Sequence, residues 1–102
     1  MARFDVYKFN SKSVPFVLDV QADLLNDLNT RVVVPLIPLN KAQNEVLPKL
    51  KPAIDIGGKA YVLITTDIGI VSTSSLGKFT VNIENEHRQT VTEALDFLLQ
   101  GF

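Results

Sequence analysis

The sequence predicts a mainly β, α+β fold, in which about five short strands in hairpins form a small barrel-like sheet and one helix closes the chain. Two observations predict this fold. Up to Asn82, short runs rich in β-branched and aromatic residues alternate with turn residues, as is typical of strands. After Asn82, apolar residues recur at every third or fourth position, which is the period of an amphipathic helix.

The first two strands are expected to form a hairpin. The run from Phe4 to Asn10, FDVYKFN, is rich in aromatic and β-branched residues, and Ser-Lys-Ser follows it as a turn. The pairing strand is PFVLDV, Pro15 to Val20, whose proline stands at the strand start, where a missing N–H is tolerated.

The segment after this hairpin, QADLLNDLNT, is too short and polar for a core helix and contains turn-favouring Asn and Asp residues. We expect a turn or a single helical loop that exposes Leu24 and Leu25. The next strand is RVVVPLI, Arg31 to Ile37. Pro35 within it favours a bulge or an edge position over the centre of a sheet.

The remaining β region begins with an irregular connection, PLNKAQNEVLPKLKP, which mixes loop and short helical signals. After it comes AIDIGGKAYVLIT, in which two β-rich runs flank Gly57 and Gly58, the signature of a tight hairpin. The strand pattern then continues through IGIVSTSSLGKF, whose glycines and small residues permit bends.

The closing helix is predicted from about Asn85, which can act as the N-cap, to a stop at Gly101. Its apolar positions recur at three and four residues: Val91, Ala94, Leu95, Leu98 and Phe102.

Composition predicts one domain, residues 1–102, since 46% of the chain is hydrophobic and no second composition regime is present. The net charge is -1 and the charges are interleaved, so we expect no direct nucleic-acid partner. The absence of cysteine suits a reducing compartment. No secretory signal or membrane-spanning run is recognisable, and we therefore expect a cytoplasmic protein without a membrane partner.

Catalytic motifs are weak throughout the sequence. His87 is the single histidine, and no cysteine accompanies it as a zinc ligand. The carboxylates share no evident face, no serine lies in a nucleophile elbow, and Gly57-Gly58 lacks the continuation of a phosphate loop. We therefore expect no enzyme activity, metal or cofactor.

Contact surfaces are the better candidates for function. Four apolar residues stand where a small core would leave them partly uncovered: Leu24, Leu25, Leu99 and Phe102. For Leu99, ordinary core packing is an equally good interpretation.

The sequence resembles the CcdB family, toxins of plasmid and chromosomal toxin–antitoxin pairs, essentially from end to end. The resemblance is carried by the blocks LDVQADLL (Leu18 to Leu25), RVVVPL (Arg31 to Leu36), TTD (Thr65 to Asp67) and the closing QGF. It implies a homodimer of small SH3-like barrels, each with a long C-terminal helix. It also implies a partner: the A subunit of DNA gyrase, which the family's toxins trap on cleaved DNA.

The resemblance also implies the site residues. The gyrase-binding residues fall on Leu24, Leu25, Asp96, Leu99, Gln100, Gly101 and Phe102. Gly101 is expected to allow close backbone approach and Phe102 to act as an apolar anchor. Position 100 departs from the pattern, because the best-studied member has a tryptophan there that stacks on an arginine of the target, and glutamine has no comparable flat surface. Phe102 replaces the family's terminal isoleucine.

A second implied partner is a CcdA-like antitoxin, whose disordered segment folds along the toxin and neutralises it. Its contacts fall on Ala42, Val46, Ile64, Thr65 and Ile68. Two alternatives to gyrase poisoning remain open. One is a diverged, non-toxic protein that binds an antitoxin, which Gln100 favours. The other is an mRNA endonuclease of the MazF and Kid type, which shares the fold but needs basic and acid–base residues that are not evident here.

Overall fold

The computed structural model describes residues 1–101 and confirms a mainly β fold with one long helix at its C-terminal side. Within these residues there are seven strands where about five were expected. One reason is a 3-10 turn at Thr73–Ser75, which divides the run expected to continue as one strand. The strands are β1 (Asp5–Phe9), β2 (Phe16–Asp19), β3 (Thr30–Pro38), β4 (Ala53–Ile56), β5 (Lys59–Leu63), β6 (Gly69–Ser72) and β7 (Leu76–Asn82), and the helix is α1 (Glu84–Gln100).

All strand pairings are antiparallel and follow the order β4-β5-β3-β2-β1-β7, with β6 beside the first half of β3. The predicted first hairpin is confirmed, with Val6 opposite Leu18. Irregular register between β1 and β7 accompanies the curl of the sheet into a half-barrel. Side chains alternate between the two faces of the sheet. The larger core lies on one face and includes Leu18, Val34 and Leu36.

Pro35 was predicted to mark a bulge or an edge; β3 as a whole has partners on both edges, but its pairing on one edge is interrupted at Val34 and Pro35. Pro35 lies opposite Val17 of β2. On the other edge, β3 pairs with β6 as far as Val33 and with β5 from Leu36 onward. The carbonyl oxygen of Pro35 accepts from the Ile64 N–H at 3.0 Å. The nitrogen and carbonyl of one residue point to the same side of a strand, so the nitrogen of Pro35 faces the edge on which β6 ends and β5 begins. A missing N–H therefore costs no ladder hydrogen bond there.

The glycine hairpin is confirmed between β4 and β5. Gly57 has φ 61° and Gly58 has φ 84°, the left-handed conformation that a two-residue turn of this kind requires at both positions. Residues with a Cβ adopt that conformation at a cost, which explains the glycine pair.

Helix α1 packs its buried face, Val91, Ala94 and Leu95, into the larger core. The expected N-cap at Asn85 was wrong, since the helix begins one residue earlier, at Glu84. The capping contact comes instead from Asn82, whose Oδ1 accepts a hydrogen bond from the Glu84 backbone N–H at 3.0 Å. Within residues 1–101, no helix has both the length and the apolar character needed to span a membrane.

Candidate protein interface

The segment from Ala22 to Asn29, here called the leucine turn, carries apolar side chains in solvent. It contains a 3-10 helix at Asp23–Leu25 with no buried residue. Leu24 is 94% exposed and Leu25 is 48% exposed, which confirms the expected exposure of this pair. Removing a leucine side chain fully from water stabilises a contact by about 1.5–3 kcal/mol. The turn therefore presents apolar side chains that the core of this chain does not cover.

Leu28 belongs to the same surface and was missed in the sequence. It is 51% exposed, and its backbone N–H donates to the Leu25 carbonyl oxygen at 3.2 Å. The sequence could have indicated this exposure. Leu28 lies in the same polar, non-periodic segment as Leu24 and Leu25, and such a segment has no strand or helix face on which a leucine could be buried.

The leucine turn is attached to the sheet by Gln21, which is 5% exposed. The Gln21 side-chain amide donates to the Leu25 carbonyl oxygen at 2.9 Å, and its carbonyl oxygen accepts from the Val32 N–H at 3.0 Å. The Gln21 backbone N–H donates to Asp19 Oδ1 at 3.0 Å. One side chain thus links the turn to the strand that follows it.

A buried ion pair lies beneath Gln21. Arg31 Nε donates to Asp19 Oδ2 at 2.8 Å, and Nη2 lies 2.7 Å from the same oxygen. Nη2 is not directed at that oxygen as a hydrogen-bond donor, so its approach is an ionic contact. Nη1 donates to Asn26 Oδ1 of the leucine turn at 2.8 Å. The pair therefore extends from the sheet into the turn.

Two pKa values are raised in this polar cluster. Burial raises the pKa of Asp19 above its ordinary value of 3.8, against the hydrogen bonds from Gln21 and Arg31 and the charge of Arg31. Burial, followed by the hydrogen bond that its hydroxyl donates to Asp5 Oδ2 at 2.9 Å, raises the pKa of Tyr7. Both groups serve as buried hydrogen-bond partners.

Arg3 ties the leucine turn to the start of the chain. Its backbone N–H donates to Asp23 Oδ1 at 2.7 Å, and its Nε donates to the Val20 carbonyl oxygen at 3.1 Å. The next residue, Phe4, is buried and has φ 74°, an uncommon conformation for a non-glycine residue. Its backbone N–H donates to the Asp19 carbonyl oxygen at 2.7 Å, which fixes this entry into the sheet.

The second candidate element is the end of α1. Leu99 is 74% exposed, so core packing does not account for it, and Asp96 and Gln100 are also exposed. Gly101 has φ 82°, and its N–H donates to the Phe97 carbonyl oxygen at 2.9 Å, which confirms the predicted glycine stop. The expected anchor Phe102 lies outside the described residues.

The leucine turn and the end of α1 have no polar contact with each other within the described residues, since no hydrogen bond or ion pair joins them there. Asp96 instead lines a groove between α1 and the loop at Pro48 and Lys49. The structure of one chain thus leaves these elements as two apolar surfaces.

The residues expected to contact an antitoxin occupy two places. Ala42, Ile64 and the half-buried Val46 share a small apolar cluster on the sheet. Thr65 is fully buried at the start of a 3-10 turn, and Ile68 packs against the larger core. Val46 and Ile68 are therefore the members of this set whose side chains retain exposed surface.

Polar residues considered for catalysis have local structural partners. His87 Nε2 lies 2.6 Å from the Asp55 carbonyl oxygen, which connects α1 with β4. The hydroxyl of Ser72 lies 2.9 Å from those of both Ser74 and Ser75. Within residues 1–101, no three His, Cys, Asp or Glu side chains are grouped so that they could hold a metal ion.

Comparison with protein families identifies the chain's similarity over nearly its whole length. The family model described as CcdB protein matches residues 3–101, nearly the whole chain, including the leucine turn and all of α1.

Proposed function

We propose that this chain, which belongs to the CcdB family of toxins, acts by binding the A subunit of DNA gyrase and trapping the enzyme on cleaved DNA. The action would be a protein–protein contact and not a reaction catalysed by the toxin. Gyrase works on DNA inside the cell, so the proposed site of action is the cytoplasm.

The observation that carries the proposal is the exposure of Leu24, at 94%, and of Leu99, at 74%. Both leucines are positions at which the family resemblance implies gyrase contacts. Exposed leucines of this kind contribute to affinity when a partner covers them.

The segment after α1 supplies the rest of the proposed gyrase contact. Gly101 lacks a Cβ, and apart from its two chain neighbours no described residue lies within 4 Å of the position that a Cβ would occupy, so a partner backbone can approach it closely. Phe102 is proposed as an apolar anchor. Gln100 replaces the family's tryptophan, and Phe102 is proposed to compensate for the lost stacking surface.

We further propose that a CcdA-like antitoxin neutralises this toxin. Its segment would contact Val46 and Ile68, while the buried Ala42, Ile64 and Thr65 shape the surface beneath. The active form is proposed to be a homodimer, as the family resemblance implies. Two chains would provide two copies of each apolar surface, and a twofold axis can bring together elements that have no polar contact within one chain.

A binding experiment with the gyrase A subunit tests this function. We expect Leu24→Ser to weaken binding at least tenfold, because burial of one leucine contributes about 1.5–3 kcal/mol and about 1.4 kcal/mol is a tenfold change in affinity. The matched control is Leu47→Ser, a change at a residue 50% exposed in the connection between β3 and β4. Equal affinity of the parent and Leu24→Ser would remove the leucine turn from the proposed site. Failure of the folded, dimeric parent to bind would contradict gyrase as the partner.

A further inference from the structure

We infer that Gln21 is a positioning residue, which holds the leucine turn in one conformation before any partner arrives. The inference rests on the proposed function, since it assumes that Leu24 and Leu25 are contact residues. It adds the means by which their backbone is fixed, and Gln21 itself need not touch the partner.

The leucine turn lacks an apolar anchor of its own. Every residue from Ala22 to Asn29 is exposed, so no side chain of the turn is held in the core. Its internal hydrogen bonds are short-range: the N–H groups of Leu25, Asn26 and Leu28 each donate to the carbonyl three residues earlier. A short exposed turn of this kind has little stability by itself. Its conformation therefore depends on polar contacts with the sheet.

Four such contacts reach the turn, and only one of them holds the carbonyl of a leucine. Arg31 bonds the Asn26 side chain, Arg3 bonds the Asp23 side chain, and the Thr73 N–H bonds the Asn29 carbonyl. Of these four contacts within residues 1–101, the one from Gln21 reaches the backbone of the Leu24–Leu25 pair, at the Leu25 carbonyl oxygen, which also accepts from the Leu28 N–H inside the turn. The Gln21 amide therefore restrains the backbone that carries the exposed leucines.

Gln21 is itself held rigidly. Its carbonyl oxygen accepts from Val32, and its backbone N–H donates to Asp19, whose other oxygen is held by Arg31. A buried amide with both ends bonded has one favourable rotamer, because each alternative would leave a buried polar atom without a partner. The Asp19–Arg31 pair thus supports Gln21, and Gln21 supports the turn.

Positioning predicts a particular kinetic result. When a binding surface is only partly populated in its competent form, apparent affinity falls by that fraction. The bound complex is unchanged, so the association rate falls and the dissociation rate does not. Loss of a direct contact would instead raise the dissociation rate.

The first test measures the motion of the turn by 15N NMR relaxation, without any partner. Gln21→Met keeps the side-chain length and removes both side-chain hydrogen bonds, whereas Gln21→Glu keeps the acceptor for Val32 and removes the donor to Leu25. The control is Gln89→Met, because the Gln89 side chain bonds Glu93 on the exposed face of α1. Use of two variants at position 21 keeps the test decisive if one fails to fold.

We expect backbone order parameters for Leu24 to Leu28 to fall from about 0.85 in the parent and the control to below about 0.6 in both Gln21 variants. Order parameters of the β3 strand should stay at the parental value. Parental order in the turn of a folded Gln21 variant would overturn the inference. A uniform fall across the sheet and the turn would overturn it too, because Gln21 would then stabilise the whole fold.

The second test measures association and dissociation rates with the gyrase A subunit. We expect an association rate at least fivefold lower for Gln21→Glu, with the dissociation rate within twofold of the parent. A raised dissociation rate with an unchanged association rate would overturn positioning. If the parent does not bind gyrase, the proposed function fails, and the relaxation measurement still decides whether Gln21 orders the turn.

Discussion

Asp19 on β2 and Arg31 on β3 form an ion pair in which neither side chain is exposed to solvent and Nη2 lies 2.7 Å from Oδ2. This pair lies between the sheet and the leucine turn. Because Arg31 also donates to Asn26 of the leucine turn, this buried pair bears on the conformation of the turn as well as on stability.

Removal of one partner of this ion pair should lower the free energy of unfolding. We expect Arg31→Met to lower the free energy of unfolding by about 3–5 kcal/mol, because Asp19 is left buried without its counter-charge. Urea denaturation measures the change. The control is Arg88→Met, which breaks a pair with Glu84 whose side chains are 66% and 43% exposed, and it should cost at most about 1 kcal/mol. Equal decreases in the free energy of unfolding in the two variants would contradict a larger stabilising role for the buried pair than for the exposed one.

The raised pKa of Asp19 has a consequence for stability against pH. The folded chain keeps the proton to a higher pH than the unfolded chain, whose Asp19 titrates near 3.8. The stabilising contribution of Asp19 to the free energy of unfolding is therefore fully present below pH 3.8, and it falls as pH rises through the pKa of Asp19 in the folded state. Carboxyl 13C titration should give a pKa for Asp19 above 3.8. A value below 3.8 would show that Arg31 outweighs burial.

Substitution of a hairpin glycine by alanine should destabilise the fold more than the same substitution of a glycine in a strand. We expect Gly58→Ala to lower the free energy of unfolding by about 1–2 kcal/mol, because φ 84° is a left-handed conformation. Gly69→Ala is the control. Its added Cβ would lie 3.8 Å from the Asp67 carbonyl oxygen, an ordinary contact, and its φ is not positive. Thermal unfolding of both variants measures the difference, and similar losses would contradict the conformational explanation.

Position 100 tests how this chain differs from the best-studied member of its family. We expect Gln100→Trp to strengthen binding to the gyrase A subunit by about 0.5–2 kcal/mol, because an indole can stack on a guanidinium. Isothermal titration calorimetry measures the affinity, with Gln89→Trp on the exposed face of α1 as control. Unchanged affinity would mean that position 100 lies outside the contact.

The strands and the closing helix could be predicted from local patterns, since alternation, a glycine pair and a helical period are visible over a few residues. Pro35 could not be placed, because its tolerance depends on β3 changing partners from β6 to β5, which is a long-range feature. The N-cap was assigned to Asn85 when Asn82 held the contact, since several polar residues near the helix start satisfy the same local rule.

The candidate site likewise has features that the local sequence predicts and features that depend on distant contacts. The exposure of Leu24 and Leu25 follows from a polar segment that has no buried face, and the sequence predicted it. The role of Gln21 could not be predicted, because nothing in its local sequence indicates that its side chain would bond both Leu25 and Val32. The burial of Ala42, Ile64 and Thr65 likewise results from packing between distant strands and loops.

The central claim is that the chain poisons gyrase through the segment that ends α1. The most direct measurement is a plasmid cleavage assay with purified gyrase, ATP and this protein, run beside a variant that lacks residues 100–102. We predict linear DNA with the full chain and none with the shortened variant, provided that both are folded and dimeric. Absence of linear DNA with the folded full chain would contradict the account and favour a diverged antitoxin-binding protein, or a ribonuclease if RNA is degraded in parallel.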